Sequence, residues 1–221
     1  MSAPLLVLDD IRKVYTRGRV IRRPTFTLEA NLSLDEPGIV GVVGPNGAGK
    51  TTLFEMMTGS NAPTSGRVLV AGTDIHGVKY RERDRLAIHY HQSYQVRRFR
   101  KRVPSAFLAP SPTRTPLVHL FDEPQFNLQD GYIGFMLDFF RELRDEGRLV
   151  VLCMHPTASW HLDILAEIAG QFLFVAGGGV ARMPDFPTLV AEPRFRAYLG
   201  PEMTRAADAI CQGSIARQFD A

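Results

Sequence analysis

Gly44-Pro45-Asn46-Gly47-Ala48-Gly49-Lys50-Thr51 satisfies G-x-x-x-x-G-K-[ST] at every fixed position. Residue types at this spacing bind phosphate. The glycines let the backbone wrap an anion with its N–H groups turned inward. A helix opening at Lys50, Thr51 and Thr52 would add about half a positive charge at the same point. Lys50 can reach terminal phosphates, and the Thr51 hydroxyl can ligate Mg2+. The apolar run Ile39–Val43 before the loop reads as a strand, and Thr52–Met57 after it reads as a helix. That context separates a phosphate loop from a glycine-rich turn with a stray lysine.

Three further strand ends carry polar chemistry. Leu117-Val118-His119-Leu120-Phe121-Asp122-Glu123-Pro124 is an apolar strand closed by two carboxylates. Asp122 would hold Mg2+ through its hydration water, and Glu123 could act as general base on an attacking water. Taken alone, the pair could equally cap a strand before a proline. Leu149–Met154 ends in the same way on His155, which could contact a γ-phosphate or simply cap its strand. Gln92 ends the strand before the basic segment and could offer a carbonyl to Mg2+ or to the lytic water. Tyr15 lies 29 residues before Gly44, where its ring could stack on adenine or pack half-buried.

The elements that must position these groups alternate between apolar strands and helices. Strands are expected at Leu5–Leu8, Thr25–Leu34, Ile39–Val43, Arg67–Ala71, Leu86–Tyr90, Leu117–Phe121, Leu149–Met154 and Gln171–Ala176. Helices are expected over Gly131–Glu146 and Ser159–Ala169, with a broken one from Phe186 to Leu199. This alternation predicts an α/β fold with a mostly parallel central sheet. Between Ser93 and Pro116 the texture changes. Arg97 to Arg102 is basic, and Ala109 to Pro116 is too proline-rich for regular structure. After Gly200 little pattern remains beyond a short helix.

Composition sets wide bounds. The 221 residues, 45% hydrophobic and 22% charged, suit one globular domain. A formal net charge of +3 gives no reason to expect a nucleic-acid partner. No apolar stretch is long enough to span a bilayer. The first ten residues lack a basic region and soon turn acidic, so no signal peptide is expected. With cysteine only at positions 153 and 211, the cytosol is the expected compartment.

Taken in order, Tyr15, the phosphate loop, Gln92, Asp122-Glu123-Pro124 and His155 resemble the nucleotide-binding domain of ATP-binding cassette (ABC) proteins. They are similar to its A-loop, Walker A, Q-loop, Walker B with catalytic glutamate, and switch histidine. The resemblance runs from about Leu5 to Leu199 and includes the Gly177-Gly178-Gly179 hairpin. It implies a P-loop NTPase core with an antiparallel β-subdomain on the N-terminal side. It implies MgATP bound by Tyr15 and Gly44 to Thr52, with Thr51, Gln92 and Asp122 on the metal. Glu123, His155 and Gln92 would serve hydrolysis. The expected partners are a second nucleotide-binding domain and a membrane-spanning permease subunit, which would hold the chain on the cytoplasmic face of the membrane. The domain would cover residues 1–200, leaving 201–221 as a tail.

The departure from the family pattern is equally plain. ABC domains carry a helical subdomain, ending in an L-S-G-G-Q signature, between Q-loop and Walker B. Here 29 residues separate Gln92 from Asp122, and none of them is glycine. Residues 93–116 stand where the lobe should be, so the helical subdomain is expected to be truncated. Gln125 to Asp130 resembles the D-loop only at Leu128, with the acid displaced to Asp130. In the family each ATP lies between one domain's Walker A and the other's signature. The expected function is an ATP-binding subunit that powers a transporter, its hydrolysis weak or dependent on a signature-bearing partner. The alternative is a non-catalytic subunit that regulates such a partner. The basic residues 97–102 could dock an acidic surface or form a solvated linker.

Overall fold

The computed structural model describes residues 3–18, 23–91, 116–124 and 132–219, with the side chains of His91, Tyr132 and residues after Gly213 left aside. Gln92, the basic segment 97–102 and the stretch 125–130 lie outside the described residues. The strands are β1 Leu6–Arg17, β2 Arg23–Leu34, β3 Gly38–Val43, β4 Ser65–Val70, β5 Thr73–Asp74, β6 Ala87–His91, β7 Val118–Asp122, β8 Leu149–Cys153, β9 Gln171–Ala176 and β10 Gly179–Met183. The helices, among the described residues, are α1 Lys50–Met57, α2 Tyr80–Leu86, α3 Tyr132–Asp145, α4 Ser159–Ile168, α5 Phe186–Ala191 and α6 Pro193–Phe219.

All ten strands form one sheet, in the order β5-β4-β1-β2-β10-β9-β3-β8-β7-β6. Five neighbours, β9, β3, β8, β7 and β6, are parallel. Strands β7 and β8 are buried at every position, as a parallel sheet covered on both faces requires. The other end is antiparallel, β2 on β1 on β4 on β5. Strand β10 joins the halves, antiparallel to β9 and touching β2 at Gly179. The expected parallel core with an N-terminal antiparallel β-subdomain is therefore what the chain adopts.

Strand alternation divides the core between two faces. Leu149, Val151 and Cys153 of β8 join Val118 and Leu120 of β7 and Leu53, Phe54, Met56 and Met57 of α1 on one face. Val150 and Leu152 join Phe121, Phe139, Phe140 and Leu165 on the other. Asp122 shares the parity of Val118 and Leu120, so it is turned to the α1 side, where the phosphate loop lies.

Three elements differ from expectation. Strand β1 does not stop at Leu8. It crosses an irregularity at Asp9-Asp10, where Asp10 has φ 45°, and the register on β2 shifts before Ile11. The extra residue breaks the alternation that marks a strand in sequence. Helix α2 occupies a charged stretch to which no element is assigned from the sequence; it buries no residue and so leaves no apolar stripe. The tail past Gly200 holds more than the short helix expected there. Helix α6 runs on to Phe219 across a break at Gly200 (φ 75°, ψ 172°), with Pro201 opening the second segment. That segment packs through Thr204 and Ala207, small residues that give a weak periodic signal.

Candidate functional site

The phosphate loop leaves the C-terminal end of β3 and enters α1. Its backbone turns left-handed at Gly44 (φ 151°), Gly47 (φ 75°) and Gly49 (φ 105°). A side chain at Gly44 would lie 2.0 Å from the Val175 carbonyl oxygen, so only glycine lets the loop pass β9. Gly49 caps α1 without a side-chain bond, which leaves the first-turn N–H groups of the helix to a ligand. Pro45, Asn46, Gly47 and Ala48 line an open cavity of about 520 Å3 together with Phe26, Thr27, Gly177 and Gly178.

Lys50 is buried, and its ammonium donates to the carbonyl oxygens of Gly44 (2.7 Å) and Pro45 (2.9 Å). Among the described residues it pairs with no carboxylate. A buried ammonium at a helix N-terminus, held only by carbonyls, is a cation prepared for an anionic ligand. Thr51 is exposed and Thr52 half-buried in the first turn beside it.

Asp122 ends β7, nearly buried, with its Oδ2 3.5 Å from His89 Nε2. In the parallel register Asp122 pairs with Cys153 of β8. Burial pushes the Cys153 thiol well above its usual range. Asp122 adds to that rise by charge and as a hydrogen-bond partner, Lys50 opposes it, and Glu123 adds a little. The thiol therefore senses all three charged side chains, which meet where β7, β8 and the phosphate loop end. Glu123 is exposed and left-handed at φ 48°, with its N–H bonded to the Cys153 carbonyl at 3.0 Å. A non-glycine residue at such an angle carries strain of the kind found at working sites.

His155 lies two residues beyond β8, partly buried, with Nδ1 2.6 Å from the Tyr198 hydroxyl. Tyr15 sits on β1 with about a third of its surface exposed. Its hydroxyl accepts from Asn61 Nδ2 at 2.8 Å, and Asn61 also donates to Glu55 of α1. The Tyr15 ring stands 6.2 Å from that of Phe26, which itself lines the cavity.

The loop 44–52, Asp122, Glu123 and His155 thus gather at the C-terminal edge of adjacent parallel strands, where ligands bind in open α/β sheets. Gln92 lies outside the described residues. Four residues went unmarked in the sequence: Phe26 on the cavity, Cys153 and His89 against Asp122, and Tyr198 against His155. Phe26 shares the buried parity of Leu28, Ala30 and Leu34 on β2 and so reads as core, and Tyr198 lies 43 residues from its partner. Cys153 and His89 share the inward parity of their strands with the motif residues, the one signal that could have singled them out.

Comparisons with known proteins agree with this geometry. The family model described as ABC transporter matches residues 28–125. The methionine import ATP-binding protein MetN of Bifidobacterium longum is 40% identical over 76 residues, 34% of this chain and 19% of that protein. The cobalamin import ATP-binding protein BtuD of Halobacterium salinarum is 52% identical over 50 residues, 23% of this chain and 13% of that protein. The aligned segments span about a fifth or less of these curated relatives. A nucleotide-free ATP-binding cassette from an ABC transporter superposes with a TM-score of 0.66 at 16% identity, covering 90% of this chain and all of that one. The fold built around the matched residues 28–125 is that of an ATP-binding cassette. Among the described residues no helix is long and apolar enough to cross a membrane.

Proposed function

We propose that this chain binds MgATP and acts as the ATP-binding subunit of an ABC-type transporter, hydrolysing ATP with help from a partner. The observation that carries the reading is the buried, carbonyl-held ammonium of Lys50 inside the left-handed glycine loop at the start of α1. On binding, Lys50 would exchange two carbonyls for phosphate oxygens. The base would lie in the cavity against Phe26, with Tyr15 behind it. Thr51 and Asp122, with Gln92, would hold Mg2+, which screens phosphate charge when bound. Glu123 would orient and deprotonate the attacking water, and His155 would donate to the γ-phosphate.

The signature is what the chain lacks in sequence. Two copies of this chain would face each other without those donors, so a second nucleotide-binding domain carrying a signature is the partner the site needs. A membrane-spanning permease would be the other, as the import names of the curated relatives suggest. The alternative, a non-catalytic regulator of such an ATPase, is favoured by the same missing signature.

The test is MgATP binding and steady-state hydrolysis, by the chain alone and mixed with a signature-bearing ABC ATPase, beside Glu123→Gln. The expectation is binding by both proteins, with turnover rising on mixing and falling at least about 100-fold in Glu123→Gln. No MgATP binding by the native chain overturns the reading. Binding with no gain on mixing moves the chain to the regulatory alternative.

A further inference from the structure

We infer that Tyr198, on the C-terminal helix, is a positioning residue that fixes His155 in the tautomer carrying its proton on Nε2. The inference rests on the reading of His155 as a phosphate contact. His155 follows β8 in a segment without regular structure, so no ladder or helix restrains its ring. Among the described residues its one hydrogen-bond partner is the Tyr198 hydroxyl, 2.6 Å from Nδ1, with ring centroids 5.7 Å apart.

The hydroxyl is itself held in place. Phe195, one turn earlier on α6, is fully buried and meets Phe174 of β9 edge-on at 5.7 Å. The Tyr198 ring lies 6.0 Å from that of Phe195. Across the break at Gly200, Arg196 forms a two-pronged bond to Asp208 at 2.8 and 2.9 Å. Thr204 Oγ1 donates to the Arg196 carbonyl at 3.3 Å. These contacts lock the two segments of α6 and with them the tyrosine.

The chemistry follows from donor counting. A neutral imidazole has one donor and one acceptor. Burial pushes the Tyr198 phenol up, with Cys153 and Glu123 adding to the rise, so it keeps its proton and can donate. A phenol donating into Nδ1 leaves the imidazole proton on Nε2. A phosphate oxygen accepts from that proton. The opposite tautomer would turn a lone pair on the phosphate and repel it. Residues well beyond the matched segment 28–125 would then decide whether the histidine can engage its ligand.

The test is long-range proton–nitrogen NMR on the 15N-labelled full chain at about pH 8, where a free histidine is neutral. His155 signals are assigned from their loss in His155→Asn. Tyr198→Phe keeps the ring and removes only the hydroxyl. The native chain should show Nδ1 as a hydrogen-bonded acceptor and Nε2 protonated, and Tyr198→Phe should show an averaged pattern. In parallel, Tyr198→Phe should leave the Kd for MgATP within about twofold while lowering partner-supported kcat about tenfold, the effect of one lost charge-directed bond. A native His155 protonated on Nδ1, or an unchanged spectrum in Tyr198→Phe, overturns the inference. Failure of the native chain to bind MgATP would overturn the functional reading instead, since the spectra need no nucleotide.

Discussion

Replacing Lys50 by alanine separates the ammonium's part in the fold from its part in binding. Without nucleotide the ammonium makes two bonds within its own loop, at 2.7 and 2.9 Å. Pro45 lines the open cavity, so water can replace the lysine at its carbonyl, whereas the bond to Gly44 is buried. The cost to stability should then be about 1 kcal/mol, a fall in Tm of about 2–4 °C for a chain of this size. Binding should suffer more. Charged hydrogen bonds to phosphate contribute about 1.5–3 kcal/mol each, and two of them offset the two carbonyl bonds given up. A net loss of about 2–3 kcal/mol corresponds to a Kd for MgATP raised about 30- to 150-fold. Titration with a fluorescent ATP analogue, beside a thermal melt of the same samples, reads both numbers. A Kd within about threefold of native, with the melt lowered as expected, would show that the ammonium serves the loop alone, and the phosphate reading would fail.

Two other perturbations probe separate parts of the molecule. Phe26→Ala should weaken ATP binding about tenfold, the worth of one aromatic contact with the base, yet leave inorganic tripolyphosphate binding unchanged. Equal losses for both ligands would place the base elsewhere. His119 is fully buried, bonded to the Tyr90 hydroxyl and the Pro116 carbonyl, and burial depresses its pKa from 6.5 to about 4. The unfolded chain takes up this proton first, so the stability His119 contributes is complete above pH 6.5 and is lost as the pH falls toward 4. About 2 kcal/mol should be gone by pH 5. Urea unfolding at about pH 7 and pH 5 should show a drop smaller by that amount in His119→Asn than in the native chain. Equal drops would mean that His119 does not titrate as a buried base.

What could be read in the sequence depended on whether a residue acts through its neighbours in the chain or through a distant partner. The phosphate loop is a local device. Its glycine angles, the preceding strand and the helix it opens lie within about twenty residues, so pattern alone located it. The end-of-strand groups Asp122, Glu123 and His155 were legible for a similar reason, since an apolar run marks where each strand stops. The second half of β1 was hidden by a bulge, and the helix beyond Gly200 by packing through threonine and alanine. Tyr198 is the sharpest case. Nothing around it suggests a site, and its partner is 43 residues away. The buried Phe195 seats this part of α6 on β9, and the clamp from Arg196 to Asp208 ties it to the segment beyond Gly200.

The missing lobe raises a physical question, because β6 and β7 flank it in sequence and β7 ends on Asp122, with Glu123 next. The structure supplies other anchors. Strand β7 is bonded in parallel to both β6 and β8 over its full length. Tyr90, His119 and Phe121 stack nearly parallel across β6 and β7, with Tyr90 and Phe121 centroids 4.5 Å apart. Phe121 then packs on Phe139 and Phe140 of α3 at 6.3 and 4.7 Å. These ring contacts, each worth about 0.5–1.5 kcal/mol beyond area burial, fix the strand end from the sheet and from α3. None of them uses residues 93–115. On the proposed function, shortening that segment would remove what the chain could offer to a partner's nucleotide, while the groups proposed to face its own nucleotide would keep their support. On the same reading, the two halves of an ABC site would be separable in this fold, and Lys50, Asp122, Glu123 and His155 would form the half this chain keeps.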